Sequence, residues 1–529
     1  MIGFSLAVAA LARLWLRRRG LYLGFDFSTQ SLTTVVLNLA REQVYFSQLG
    51  FDGDLPKFQT QNGIVRGEAD HEVYVPFTML AQALEMSLAR MPREIICRVI
   101  SISGSAQQHG SVYWNVNGDG FDLDPRFPLP HSLLPMLARV NGPNWMDNST
   151  YQLCRWLELL VPANELKRIS GSRAFERFTG VQIARQLAVG QVRDSVKRVT
   201  LLSNALASVL CGKLVGVDCG DASGMNLMDL ASHEWSPKLC SAHADLVNFS
   251  PLAFKRLLGP SPVPMDTVAG QLDEYFVQRF GFPSACQVVS FTGDNPSTVF
   301  GLGLGLGDCA ISLGSSTTVL TLVSKFSATD LESHIMAIDR STLMEMFCFK
   351  NGALVRDEFK QKSWAEFDEL IWRGMNTDCI AFAFPEVEIT PKLRRAGKLC
   401  FDANDQLVPL NKLTRADALM AVLHGQFLAI ASRVLGKADR LVVTGGGSNS
   451  QAMVQVLANC FQLPVTVLSQ SNNNAACLGA ALRALGCGRS HRDWDSTIAT
   501  TTQPILSKRY VDLLSRFREL EHGVKMALG

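Results

Sequence analysis

Charge of neither sign is in surplus: 50 Lys and Arg stand against 48 Asp and Glu, a net +2 at neutral pH. A nucleic-acid-binding surface carries a basic stripe interleaved with aromatics, and no such stripe occurs here. Sulfur chemistry is equally thin. The 13 cysteines are scattered, with no C-x-x-C and no Cys/His spacing suited to a metal. That excludes a disulfide scaffold and a zinc module, and it fits reduced thiols in a cytosol-like compartment, packed as small hydrophobes. Low-complexity tracts are missing. The P-loop pattern G-x-x-x-x-G-K-[ST] is absent. The run Gly301-Leu-Gly-Leu-Gly-Leu-Gly307 does not fit the dinucleotide fingerprint G-x-G-x-x-G, so it reads as a connector.

Long apolar runs are also wanting. Residues Ile2 to Leu16 are mostly apolar, but Arg13 interrupts them and Arg17, Arg18 and Arg19 follow. A secretory signal places its charge first, and a bilayer span needs about 20 apolar residues. The stretch 1–20 is therefore expected to be an extension outside the fold; a membrane-surface anchor or organelle address is the other reading.

What is present is ample core material. The 529 residues are 47% hydrophobic and 19% charged, which excludes disorder and leaves room for two or three domains. The strand Leu21–Asp26 leads through the polar turn Phe27-Ser28-Thr29-Gln30-Ser31 into a second strand, Thr33–Leu37. A strand Arg98–Ser103 runs into Gly104-Ser105-Ala106-Gln107-Gln108-His109, with helical spacing over Tyr74–Leu88 between. The same grammar returns later. Asp308–Ser312, the hydroxyl-rich turn Leu313-Gly314-Ser315-Ser316-Thr317 and Thr318–Val323 make a second hairpin. Arg440–Thr444 then leads into Gly445-Gly446-Gly447-Ser448-Asn449, a helix Gln451–Phe461, a strand Pro464–Leu468 and a helix Ala475–Ala484. This predicts two duplicated α/β domains around a cleft, the boundary falling near Asp294 to Leu302. Pro125 to Pro143 reads as a proline-rich loop.

Several residues could carry chemistry. A Ser/Thr-rich hairpin tip offers several donors to one anion, although a single tip is also an ordinary turn. Asp26 precedes the first tip, where a carboxylate could hold Mg²⁺. Asp294 closes the apolar strand Gln287–Phe291 and could take the proton of an attacking hydroxyl; an N-cap or Asx-turn beside Pro296 is the plainer reading. His109 could donate to and accept from a polyol, or be structural. Trp145 with Asp147 pairs an apolar platform with an acceptor, though Trp145 could be core. Ser172–Phe178 mixes charges and aromatics, as exposed ion pairs also do. Gly445 to Gly447 permit close approach of a ligand, or simply a tight turn.

Taken in order, these residues resemble one family. Gly24-Phe-Asp26-Phe-Ser-Thr-Gln30, Gln107-Gln-His109-Gly-Ser-Val-Tyr-Trp114, Trp145-Met-Asp147, Gly171-Ser-Arg173-Ala-Phe-Glu-Arg177-Phe-Thr-Gly180, Gly293-Asp294-Asn295-Pro296 and Ser312-Leu-Gly314 are similar to the carbohydrate (FGGY) kinases. The likeness continues through Cys348–Gly352, Lys362-Ser-Trp364, Glu388–Pro391 and Thr444–Gly446, and lies closest to the eukaryotic-type xylulose kinase branch. It implies two actin-like ATPase (ribonuclease-H-like) domains with an interdomain cleft. Residues 21–298 would bind sugar, 299–490 would bind ATP, and 491–529 would form a C-terminal helical tail. It implies ATP-dependent phosphorylation of D-xylulose at its 5-hydroxyl for the pentose phosphate pathway. Another ketose or polyol, or an inactive ATP-binding regulator, are the alternatives. By resemblance Asp294 is the catalytic base. His109, Arg177, Asp294 and Asn295 contact the sugar, with Trp145 and Asp147 nearby. Ser28, Thr29, Gln30, Gly314, Ser315 and Ser316 address the Mg-ATP phosphates, while Trp364, Gly445, Gly446 and Asn449 line the nucleotide. Ser315 stands where the family usually has Thr. The expected partners are the sugar and ATP, with Mg²⁺ as cofactor. No nucleic acid or firm membrane association is expected, and the protein would be a cytoplasmic monomer or homodimer.

Overall fold

Each half of the chain opens with the hairpin its sequence predicts. The computed structural model describes residues 20–69, 71–118, 120–190, 192–468, 474–486 and 498–529. The expected N-terminal extension, apart from residue 20, lies outside the described residues. Strands of the two large sheets are numbered in chain order. The first sheet holds β1 (Leu21–Phe27), β2 (Ser31–Leu37), β3 (Gln43–Gly50), β4 (Val99–Ala106), β5 (Val268–Gln271), β6 (Gln287–Val289) and the short β7 (Thr292–Gly293). The spatial order is β5-β6-β4-β1-β2-β3, with β7 beside β4. The second sheet holds β8 (Asp308–Leu313), β9 (Thr317–Val323), β10 (His334–Ala337), β11 (Leu343–Phe349), β12 (Arg440–Thr444), β13 (Val465–Leu468) and β14 (Ile498–Thr502), in the order β10-β11-β9-β8-β12-β13-β14.

The duplication is visible in the pairing. β1 runs antiparallel to β2 and parallel to β4; β8 runs antiparallel to β9 and parallel to β12. Each sheet carries one antiparallel strand beyond its parallel set, β5 on β6 and β14 on β13. β1 is buried along its whole length, as a central strand covered on both faces requires, and β3 at the edge is mostly open to water.

Four helices position the site: α1 (Asp294–Gly301), α2 (Trp364–Gly374), α3 (Gln451–Phe461) and α4 (Ala475–Ala484). α4 follows β13 of the second sheet in sequence but packs on the first sheet. The Cys477 thiol lies 3.3 Å from the carbonyl oxygens of both Gly24 and Thr33. Glycine makes this approach possible: a Cβ on Gly24 would meet the Ala481 nitrogen at 2.4 Å. α1 and α4 cross as closely, since a Cβ on Gly301 would meet the Ala475 carbonyl oxygen at 1.8 Å.

Four local expectations are corrected. Residue 298 lies inside α1, so a boundary between 298 and 299 would cut a helix. Residues 498–502 form a strand rather than part of a helical tail, as their β-branched content favours; the helix Lys508–Leu528 starts only after Ser507, whose side chain caps it. The segment Pro125–Pro143 is not all loop: it contains a helix Leu129–Leu133 and strands Leu137–Arg139 and Asn141–Pro143. The helix expected from Tyr74 begins at Phe77, after a strand Val73–Pro76, because Pro76 lacks an N–H and sits at the cap. None of the described cysteines is in a disulfide. Among the described residues no helix is long and apolar enough to cross a membrane.

Candidate active site

Two carboxylates, one from a strand and one from the first turn of a helix, line the same cleft. Asp26 lies near the end of β1, level with Thr33 of β2 and Ser105 of β4. Ser28 and Ser105 donate hydroxyl hydrogen bonds to it at 2.6 and 2.7 Å. Burial nevertheless outweighs those bonds and raises its pKa above the usual carboxylate range. Asp294 is delivered by β7. Thr292 and Gly293 pair with Ser105 and Ala106, after which the chain turns directly into α1. Gly293 takes the N-cap position, and a Cβ there would collide with the Gln108 side chain at 2.5 Å. Asp294 is thus the first helical residue and not the cap. Its Oδ1 accepts the Asn295 N–H at 2.8 Å. Burial, then the negative charge of Asp26, push Asp294 up to about 7.

The cleft above these carboxylates has a volume of about 810 Å³. Asp26, Ser28, Asp294, Asn295, Gly445, Gly446 and Asn449 all line it, so sequence reasoning brought together residues from both lobes. Gly446 faces open space, with nothing within 4 Å of a Cβ placed on it. Gly445 has φ +80, and a Cβ there would press on the Leu313 backbone at 3.0 Å.

Other expected phosphate contacts sit apart from that wall. Thr29 accepts a hydrogen bond from the Trp145 indole at 2.9 Å, and Gln30 is exposed. At the second tip the cavity is lined by Ser312 and Thr318 rather than by Gly314, Ser315 or Ser316. There the Gly314 and Ser315 carbonyls accept the Ala353 N–H. Trp364 is exposed at the start of α2, edge-on to Phe367. α2 is tied to the start of α3, close to Asn449, by Asp368, which accepts from the Ser450 hydroxyl and from the Gln451 N–H.

Beside Asp294 lies a buried polar cluster. Asn295 donates its amide to Gln108 at 2.8 Å, and the next residue along is His109. His109 holds a left-handed backbone at φ 67, with Nδ1 3.0 Å from the Gly224 carbonyl. A carbonyl only accepts, so Nδ1 carries the proton and Nε2 is left as an acceptor. Its ring stacks on Phe178 at 4.8 Å. Burial and the Arg177 charge push His109 down to about 3, so the imidazole is neutral at any working pH. Arg177, Trp145 and Asp147 line a second, larger cavity of about 1510 Å³ between the lobes. The Trp145 face is exposed there, and is not plain core. The Asp147 carboxylate is engaged within the protein by the Val73 N–H, Ser149 and Gln182.

Sequence reasoning missed several partners. Asp221 is buried, accepts from Ser203 and lies near Asp218; both titrate above the normal range, Asp218 near 6, and for each burial is the main cause. The pattern Asp218-Cys-Gly-Asp221 was a legible capping signal, since Asp218 caps the turn it starts. His334, from the second lobe, donates or accepts at Ser172 and Arg177, and no local pattern announced it.

Among the described residues no group of three or more His, Cys, Asp or Glu could cage a metal. Mg²⁺ does not need one, because it keeps its waters and takes one or two carboxylates. Asp26 and Asp294 meet that requirement: they share a roomy cleft, and the Asp26 charge raises Asp294, which a bound cation would offset.

Two duplicated lobes of this topology, with carboxylates and glycine-lined walls facing one cleft, define an actin-like phosphotransferase. The particular family follows from sequence. The chain belongs to the FGGY family of carbohydrate kinases: residues 141–301 match the N-terminal domain of that family and residues 309–486 its C-terminal domain. It is 34% identical to a xylulose kinase of Rattus norvegicus, over 95% of this chain and 96% of that protein. It is 33% identical to xylulose kinase 2 of Arabidopsis thaliana, over 90% and 88%. The crystal structure of xylulose kinase from Rhodospirillum rubrum superposes with a TM-score of 0.76 at 16% identity, covering 95% of this chain and 99% of that one, which speaks for the fold.

Proposed function

We propose that the protein transfers the γ-phosphoryl group of ATP to the 5-hydroxyl of D-xylulose, giving D-xylulose 5-phosphate. The observation that carries this reading is Asp294: a half-buried carboxyl at the head of α1, on the wall of the interlobe cleft and titrating at about 7. The likeness to xylulose kinases over nearly the whole chain supports D-xylulose as the sugar.

The protein's work is placement and proton handling. Asp294 accepts the hydroxyl proton as that oxygen meets phosphorus, and a base titrating near neutrality is well matched to this. Asn295 and Gln108 hold its surroundings. His109, neutral and with Nε2 available, accepts from one sugar hydroxyl, while Arg177 donates to another oxygen. Ser28 and the Gly445–Asn449 turn approach the triphosphate and nucleotide. Asp26, with Asp294 near, would hold Mg²⁺, which when bound supplies positive charge to the transferring phosphoryl group. Lobe closure excludes water and limits idle ATP hydrolysis. The reaction would run in the cytoplasm and feed pentose phosphate metabolism.

The test is ADP release over a panel of ketoses and polyols. ADP formation with D-xylulose in preference to D-ribulose and sugar alcohols is the expected result. A preference for another sugar reassigns the substrate, and ATP binding with no acceptor at all overturns the reading.

A further inference from the structure

Strand β10 belongs to the second lobe, yet its first residue is held by the first. His334 is buried with 1% of its surface exposed. Its Nδ1 lies 2.7 Å from the Ser172 hydroxyl, and its Nε2 lies 3.0 Å from Nη2 of Arg177. The backbone of the strand is anchored in the same place: the Ile335 N–H donates to the Gly171 carbonyl at 2.9 Å, and the Ala337 N–H to the Ser223 hydroxyl at 3.0 Å. The His334 ring stands edge-on to Phe175 at 4.4 Å, and the Arg177 guanidinium lies over the same Phe175 ring at 5.5 Å.

A guanidinium has donors only, so Nε2 must present its lone pair. The proton then sits on Nδ1 and donates to Ser172. Burial and the Arg177 charge hold His334 well below the ordinary histidine range, which keeps that neutral tautomer in place. Among the described residues, His334 is the hydrogen-bond partner of the Arg177 side chain. The direction of Arg177 is therefore set by one aromatic face and one acceptor, and the acceptor comes from the opposite lobe.

Resting on the reading of Arg177 as a sugar contact, the geometry points to His334 as a positioning residue that aims Arg177 at the sugar and so makes sugar affinity depend on how the second lobe is seated. It does not touch the reacting atoms.

Two substitutions separate its two bonds. His334→Asn keeps a donor at the level of Nδ1 for Ser172 but ends short of Arg177. His334→Gln places a carbonyl oxygen at the level of Nε2 and can still accept from Arg177. A hydrogen bond to a charged group is worth roughly 10-fold or more in binding. His334→Asn is thus expected to raise the KM for D-xylulose about 10-fold, with kcat and the KM for ATP little changed, and His334→Gln to restore most of the loss. Equal effects of the two variants, or a matching rise in the KM for ATP, overturn the proposal. Nitrogen-15 spectra of histidine-labelled wild-type protein, with His334→Gln for assignment, give a readout apart from turnover. A proton found on Nε2 overturns it too. If the wild-type protein turns over D-xylulose while His334→Asn keeps the wild-type KM, only this inference falls. If the wild-type protein phosphorylates no ketose, the reading of the site falls and this inference with it.

Discussion

Asp294 and Asp26 line the same interlobe cleft, and the charge on Asp26 helps lift Asp294 to about 7. Among the described residues neither carboxylate has a cationic side chain bonded to it; their hydrogen-bond partners are hydroxyls and amides. An acid so placed is poised to exchange a proton near neutral pH, and a cation brought to Asp26 would ease its ionisation further.

The first prediction concerns that proton. Asp294→Asn keeps the shape and the contact with Asn295 but cannot accept the hydroxyl proton. Turnover should fall roughly 10²–10⁴-fold, while ATP and sugar binding, followed by calorimetry, persist. In the wild-type protein kcat/KM should decline as pH drops through about 7. Near-normal turnover in the variant would remove Asp294 from the mechanism.

Stability should carry the opposite mark of another acid. Asp221 titrates well above its usual value because it is buried beside Asp218. The folded protein then keeps a proton that the unfolded chain loses from about pH 4 upward. The native state binds more protons than the unfolded one, so stability falls as pH rises from that point toward neutrality. Asp221→Asn mimics the protonated acid and should remove this slope. The expected outcome is a thermal midpoint raised by roughly 2–4 °C at pH 8 relative to wild type, with little gain near pH 4. A loss of the same size at both pH values would mean that Asp221 is ionised in the native state.

How much of this could be read from residues alone is uneven, for physical reasons. Both hairpins, the strand entering Asp294 and the helices Gln451–Phe461 and Ala475–Ala484 are local patterns, and period and turn chemistry fix them. The placement of α4 on the other lobe is not local: nothing in Ala475-Ala-Cys-Leu-Gly-Ala-Ala481 states that Gly24 and Gly301 lie opposite it. His334, Arg483 and Ser105 escaped notice for the same reason, since each acts on partners many tens of residues away. At the second tip the hydroxyl content of Gly314 to Ser316 is legible, but not that the Gly314 and Ser315 carbonyls accept from Ala353, a neighbour the sequence places far off.

The glycines provide a paired test of close packing against open space. A Cβ on Gly479 would stand 1.9 Å from the Ser297 carbonyl oxygen, a backbone atom that cannot swing aside. Alanine favours a helix interior over glycine by about 1 kcal/mol, but overpacking there costs about 1–3 kcal/mol or more and wins. Gly479→Ala should therefore lower the denaturation midpoint. Gly446→Ala meets nothing within 4 Å and should leave the midpoint unchanged. If the nucleotide rests on that turn, the same methyl raises the KM for ATP several-fold. Equal stability losses in the two variants would contradict the packing described.

Arg483 shows what fastens α4 to the first lobe. Its side chain is buried, donating to the Ser290 carbonyl at 2.6 Å and to the Gly104 carbonyl at 2.7 Å, two acceptors at neighbouring strands of the first sheet. Burial lowers its pKa only to about 10, so the guanidinium keeps its charge at physiological pH, and nearby Asp218 favours that charge. Arg483→Met fills a similar volume yet removes the guanidinium from both carbonyls, leaving Ser290 with the Ser103 hydroxyl as its remaining side-chain donor. Each lost charge-assisted bond is worth about 1.5–3 kcal/mol, so a loss on the order of 3 kcal/mol is expected in urea unfolding. Arg483→Lys should recover only part, because a single ammonium cannot span both acceptors as a planar fork does. A methionine variant as stable as wild type would show that α4 is held by its small residues alone, through the approaches to Gly24, Gly301 and Ser297, and that the guanidinium is merely accommodated.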